Sequence, residues 1–254
     1  MELGSIMYSF GDVPGAVFTT FSVQTGLLAE LDRKFPSYLS AWNGECFVSN
    51  DELATHYGFV SRGRAALKYR ELDVTLHEGM FFCVPGDFSI HPESGGQGII
   101  VSREAYRGQF GIGGPVEHKG RLRYIDGCTD SLLVPPLLKG DPCLNLLHFP
   151  GGVDQTAHVH PSDRIGIIIS GLGKCHYWNA GTESVVNLEA GMIFCIHAQG
   201  LHKFSTPYGQ DMRVLAYHPD SDFGPTHEDH PMLNRTLVRG VSAKFIDEIR
   251  TITA

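Results

Sequence analysis

The sequence predicts an all-β fold of two tandem antiparallel barrels with short flanking helices. Three observations carry this. The 254 residues include 30 Gly and 14 Pro, which favours many short strands joined by turns over long helices. Leu76-His-Glu-Gly-Met-Phe-Phe-Cys83 and Leu188-Glu-Ala-Gly-Met-Ile-Phe-Cys195 share Leu, Gly, Met, Phe and Cys at a constant offset of 112 residues, which argues for an internal duplication. Apolar residues make up 42% of the chain, so burying a substantial core is feasible. The repeat divides the chain into residues 1–120 and 121–254, each within the usual size of a domain.

The elements follow in order. Residues 1 to about 40 carry little pattern. Leu27, Leu28 and Leu31, within Ser22 to Phe35, fit either a short amphipathic helix or a strand ending in a turn. From Ala41 the β character is clear: Cys46-Phe-Val, Tyr57-Gly-Phe-Val and Ala65 to Tyr69 are short runs bounded by Asn, Asp and Gly. Leu72 to His77 alternates apolar and polar. Residues 100–125, with Gly108, Gly111, Gly113, Gly114 and Pro115, read as the link between halves. Leu122 to Pro136 and Leu144 to Phe149 lead into the second barrel, and Met212 to Tyr217 is its last apolar run. His218 to His230 mixes ionisable residues with Pro and Gly, as a loop over the surface would. Ser242 to Thr253 has Phe245, Ile246 and Ile249 at helical spacing and reads as a short closing helix.

The second half carries the chemistry. In Phe149 to Gly173, His158 and His160 stand two residues apart, ahead of the apolar run Ile165 to Ile169. On a strand, residues i and i+2 share a face, so two imidazoles would point at one place. His202 follows a second Gly-initiated apolar run. Neutral imidazole suits Fe(II), Zn(II) and other divalent transition metals. Three such ligands leave coordination positions open, as a reactive site does and a closed structural zinc site does not. Residues 1–120 contain no His-x-His. At the repeat offset the counterparts are Cys46, Val48 and Ile90, with His91 one residue out of register. The first barrel is therefore expected to hold no metal and to serve as a scaffold or dimerisation copy.

This pattern resembles the cupin superfamily. The resemblance is good over residues 145–217 and weaker over 41–100. It implies a double-stranded β-helix, or jelly-roll, barrel in each half and one divalent metal on His158, His160 and His202. There are two departures. The family's glutamate falls on Arg164, which cannot ligate because it stays protonated. Its Pro-x-Gly turn becomes His197-Ala-Gln199, so His197 reads as a turn residue first and an extra ligand second. Arg164 reads either as a rim ion-pair partner or as a fork for a substrate carboxylate, since guanidinium matches carboxylate geometry. Three-histidine cupins include Fe(II) dioxygenases, which makes an Fe(II) oxygenase of a small carboxylate-bearing molecule the leading expectation. Wording around His158 to Arg164 is also similar to zinc cupin modules of hydrazine-forming enzymes. That implies the alternative of zinc-dependent non-redox chemistry, such as rearrangement, isomerisation or N–N bond formation. A non-catalytic ligand-binding barrel is the third reading.

Composition narrows the partners. The net charge is −8 with no basic cluster, so nucleic acid and anionic membrane surfaces are poor partners. No apolar run is long enough for a membrane helix, and the N-terminus lacks a signal-peptide pattern. The six cysteines form no CxxC and several sit in apolar runs, which suits a reduced, cytoplasmic protein. A small-molecule substrate and a homodimer complete the expectation.

Overall fold

The computed structural model describes residues 16–32 and 34–251. The first half supplies β1 (Phe18–Phe21), β2 (Gly26–Leu31), β3 (Ser37–Asn43), β4 (Phe47–Ser49), β5 (Thr55–Arg62) and β6 (Arg64–Tyr69). It continues with β7 (Leu72–His77), β8 (Phe81–Pro85), β9 (Phe88–Pro92), β10 (Gln97–Arg103) and β11 (Gly111–Gly113). The second half supplies β12 (Leu122–Arg123), β13 (Thr129–Val134), β14 (Cys143–Phe149) and β15 (Arg164–Asn179). It ends with β16 (Thr182–Glu189), β17 (Ile193–Ile196), β18 (His202–Ser205) and β19 (Met212–His218). All pairings are antiparallel. The all-β expectation holds.

The duplication is visible in the pairing. The first half orders its main sheet β11-β8-β5-β10-β3-β2, and the second half orders its own β1-β17-β15-β19-β14-β13-β12. Strands β9, β6 and β7 pair in the first half as β18, the end of β15 and β16 do in the second. Strand β1 adds to the second half's sheet, beside β17, in the place that β11 takes beside β8. The shared Leu-x-x-Gly-Met segment is the turn into β8 and into β17. Gly79 and Gly191 have φ of +81° and +89° there, a region that costs an L-residue roughly 1–2 kcal/mol.

A second repeated device shapes both interiors. Gly58 on β5 lies beside Phe82 on β8, and Gly166 on β15 lies beside Phe194 on β17. Each glycine leaves room for the neighbour's ring: a Cβ on Gly166 would stand 2.5 Å from Phe194, and one on Gly58 1.9 Å from Phe82. The two main sheets face each other across a shared core that includes Leu39, Tyr57, Phe59 and Ile99 from one half and Ile165, Ile193, Leu215 and Tyr217 from the other. The rings of Tyr57 and Tyr217 stand 5.2 Å apart. The inner face of the first half is filled by Trp42, Val60, Phe82, Phe88, Ile90 and Ile100.

Several expectations need correction. Of the two forms open to Ser22 to Phe35, the structure takes the strand, β2; its edge pairing to β3 satisfies the backbone while Leu28 and Leu31 pack inward. The link between halves is shorter than residues 100–125, because β10 runs to Arg103 and β11 pairs with β8. The closing helix is not formed. The chain makes separate 3-10 turns at Ala243–Phe245 and Asp247–Ile249, broken at Ile246 by φ −122° and ψ 86°. Phe245 and Ile249 are exposed, so no apolar face holds a longer helix in place; residues 252 and 253 lie outside the described residues. A short α-helix, Pro231–Arg235, instead follows the His218 to His230 loop. Among the described residues no helix is long and apolar enough to cross a membrane. All six cysteines are free, and Cys46 alone of them is exposed.

The Gly166–Phe194 contact is testable. Gly166→Ala forces the ring to move inside a packed interior and should cost about 1–3 kcal/mol of stability, read by urea unfolding. The same substitution in a Phe194→Leu background should cost less. Equal costs in the two backgrounds would locate the strain elsewhere.

Candidate metal centre

His158 and His202 meet through their backbones. His158 N–H donates to His202 O at 2.9 Å, and His202 N–H donates to His158 O at 3.0 Å. This single bridge, not a continuous strand as expected, positions the His-x-His segment. The extended backbone still sends His158 and His160 the same way. Ligand atoms of His158, His160 and His202 lie within 4.8 Å of one another, with ring centroids 4.6–5.2 Å apart.

The outer nitrogens are already used. His158 Nδ1 donates to Thr156 O at 2.8 Å, and His202 Nδ1 donates to Gly200 O at 2.9 Å. An Nδ1–H bond to a carbonyl fixes the tautomer and leaves the Nε2 lone pair facing inward, the arrangement of a metal-ligating histidine. Burial pushes His160 down to about 3, with the charge of Arg164 adding to it. Burial likewise pushes His202 down to about 4, against the pull of the Gly200 carbonyl. Both are neutral near pH 7, the form a metal needs. The donor set therefore fits a divalent transition metal.

The cluster opens on a largely apolar cavity. Leu147, Phe149, Phe194, Ile196, Phe204 and Val214 line it. Phe204 packs 5.3 Å from Phe149 and 5.8 Å from Phe194, under the imidazole of His202 at 5.7 Å. The corresponding place in the first half is filled. Phe47 pairs with Ile90 as His158 bridges to His202. Hence Phe47, not Cys46, is the counterpart of His158: one residue of insertion shifts the early part of the repeat. His91 lies outside that interior, bonded to Ser89 Oγ at 2.9 Å and near Cys46 Sγ at 3.3 Å.

Arg164 is the first residue of β15 and its side chain lines the cavity. Nη1 donates to the carbonyls of Ser162 at 3.2 Å and Asp163 at 3.0 Å, and to the Ser162 hydroxyl. Asp220 stands 3.6 Å from Nη1 and also accepts from the Ser162 hydroxyl. Nε is buried with no partner. Such a donor carries a desolvation cost that a ligand acceptor would offset. His197 lies apart from the three-histidine cluster, held by Thr19 Oγ1 at 3.1 Å and near Asp163.

Sequence reasoning missed other cavity residues: His218, Asp130 and Tyr124. The sequence pattern groups His218 with the following loop, yet it is the last residue of β19. Val214, Ala216 and His218 alternate onto the cavity face, so period-two spacing could have found it. Burial pushes His218 well below its ordinary value, with Arg164 adding to this. Asp130 accepts from Asn145 Nδ2 at 2.8 Å, and burial pushes its carboxyl up. No spacing rule links Asp130 or Tyr124 to the histidines.

No protein-family model matches the sequence, and no curated protein matches it. Solved structures do. A cupin 2 conserved barrel domain protein from Leptotrichia buccalis is 16% identical with a TM-score of 0.58, over 78% of this chain and 90% of that one. A variant of salicylate 1,2-dioxygenase from Pseudoaminobacter salicylatoxidans is 11% identical with a TM-score of 0.54, over 73% and 72%. Oxalate decarboxylase from Bacillus subtilis is 12% identical with a TM-score of 0.51, over 96% and 88%. At these identities the likeness is one of fold, and the fold is that of cupin barrel proteins.

The low values for His160 and His202 set a pH dependence. Each binds fewer protons folded than unfolded below pH 6.5, so metal-free protein should lose stability as pH falls from 6.5 toward 4. The fully buried His202 accounts for on the order of 3 kcal/mol of this loss. A His160→Asn/His202→Asn variant should show a shallower fall in thermal midpoint over that window. An unchanged slope would contradict the buried, neutral assignment.

Proposed function

We propose that this chain is a metal-dependent enzyme acting on a small carboxylate-bearing molecule. The observation that carries it is the shared cavity: three inward imidazoles at one end, and the unpartnered Nε of Arg164 beside them. His158, His160 and His202 hold one divalent ion, which supplies open coordination positions for substrate. Arg164 orients the substrate carboxylate, with Asp220 and the Ser162 hydroxyl fixing the guanidinium. The apolar walls exclude water and strengthen that ion pair. Residues 121–254 form the metal-binding barrel. Within residues 1–120, the strands from β2 to β11 form a barrel whose interior is apolar and without metal, while β1 joins the second barrel's sheet.

The reading we place first is an Fe(II) dioxygenase or oxygenase. Among proteins of this fold, the salicylate 1,2-dioxygenase structures include a complex with gentisate, and oxalate decarboxylase has Mn(II) centres. Gentisate and oxalate are both carboxylates. The all-imidazole donor set also suits Zn(II), which supports the rival of a zinc enzyme using Lewis-acid chemistry.

Metal analysis of protein purified without added metal separates these: iron supports the oxygenase, zinc the non-redox enzyme. His158→Ala should lower occupancy of this site to a small fraction while the chain stays folded by circular dichroism. Undiminished occupancy would remove the site assignment. Arg164→Gln should leave the metal in place and weaken binding of small carboxylates, with gentisate and oxalate as titration probes. A lost charged hydrogen bond of about 2–5 kcal/mol corresponds to roughly 30-fold or more in affinity. Unchanged affinity would leave Arg164 as the ion-pair partner of Asp220 only.

A further inference from the structure

Behind Arg164, on the face of the same sheet turned toward the first half, lies a second group of potential ligands. Asp163, Cys195 and His197 place their ligand atoms within 4.8 Å of one another. The strand pattern explains why they meet. On β17, Phe194 and Ile196 line the cavity, so Cys195 faces the opposite way. Arg164 pairs with Ile196 across the β15–β17 ladder, which puts Asp163 beside His197 just beyond it.

The group's other polar contacts lie at its edge. Asp163 Oδ1 accepts from Ala198 N–H at 2.8 Å. His197 Nε2 bonds to Thr19 Oγ1 at 3.1 Å. His197 Nδ1 stands 3.7 Å from Asp163 Oδ2, too far for a hydrogen bond. It is close to the separation of about 3.3 Å between nitrogen and oxygen ligands of one tetrahedral zinc ion. In the tautomer with Nε2–H donating to Thr19 Oγ1, the Nδ1 lone pair faces the Asp163 carboxylate, and a cation between them would hold both. Cys195 is fully buried beside them. From the first half, Asp32 Oδ2 accepts from Asp163 N–H at 3.3 Å.

We propose that Asp163, Cys195 and His197 form a second metal site, selective for Zn(II). Sulfur, imidazole and carboxylate donors together suit zinc. The site is structural, because its ligands are turned away from the cavity. Its ligand Asp163 also ties the segment after β2 to the sheet of the second half, through the Asp163 N–H bond to Asp32. The site also braces the turn that holds the first site, since Gln199 N–H donates to His160 O at 2.8 Å and Gly200 O accepts from His202 Nδ1. The proposal does not depend on the three-histidine reading.

Cobalt substitution tests it, because a thiolate ligand gives Co(II) a near-ultraviolet charge-transfer band and three imidazoles do not. Metal-free protein titrated with Co(II) should develop that band, lose it in Cys195→Ser, and keep it in the Cys46→Ser control and in His158→Ala. Zinc content should fall by about one ion per chain in Cys195→Ser, as expected for loss of one thiolate-bearing site. A wild-type protein without the band, or a band that persists in Cys195→Ser, overturns the second site. If the three-histidine site alone fails, the chain binds one Co(II) with the band; if the second site alone fails, it binds one without.

Discussion

One strand organises the second half. Strand β15 hydrogen-bonds to β16, β17, β18 and β19. It can do so only because it bends from one sheet into the next. The ladder to β19 shifts register between Ile168 and Ser170. Gly171 then takes φ +78°, where a Cβ would stand 1.9 Å from Asp211 O. The early part of the strand carries Arg164 against β17. The later part pairs Tyr177 with His202. The cationic side chain and the histidine cluster are thus held at a fixed separation by one continuous hydrogen-bonded backbone.

That backbone explains how two related halves come to differ. The first half keeps the pairing pattern, the Gly–Phe contacts and the glycine turn. Its interior positions carry Phe47 and Ile90 where the second half has His158 and His202. Where Arg164 pairs with Ile196, the first half pairs His56 with Val84. His56 is buried, bonded to Ser102 Oγ at 2.7 Å and to Ser49 Oγ at 3.2 Å. Burial pushes it down to about 4, so it is neutral near pH 7. Aromatic and aliphatic side chains close this space. The same scaffold can therefore hold a packed core or an open cavity, because side chains facing the interior are not needed for the ladders.

Electrostatics in the second half follow from burial. Neutral imidazoles, a guanidinium and a carboxylate share a space from which water is largely excluded. Removing charges from water is costly, and the cost is met locally: Asp220 and the carbonyls of Ser162 and Asp163 surround one edge of Arg164. The other edge, with Nε, has no such partner. The proposed carboxylate ligand would supply the acceptor that this edge lacks.

Period-two alternation, the glycine turns and the repeated segment were enough to give the all-β class and the duplication. His-x-His spacing and a downstream His identified the three imidazoles that converge. These features are local, set by which way successive Cβ atoms point along an extended chain. The tertiary structure decided everything that depends on pairing between distant strands. It placed β1 in the other half's sheet, shifted the repeat so that Phe47 answers His158, and brought His218, Asp130 and Tyr124 to the cavity. It also brought Asp163, Cys195 and His197 together on the face turned away from the cavity. Registers between strands far apart in sequence are fixed by packing and bulges, and neither leaves a regular spacing in the sequence.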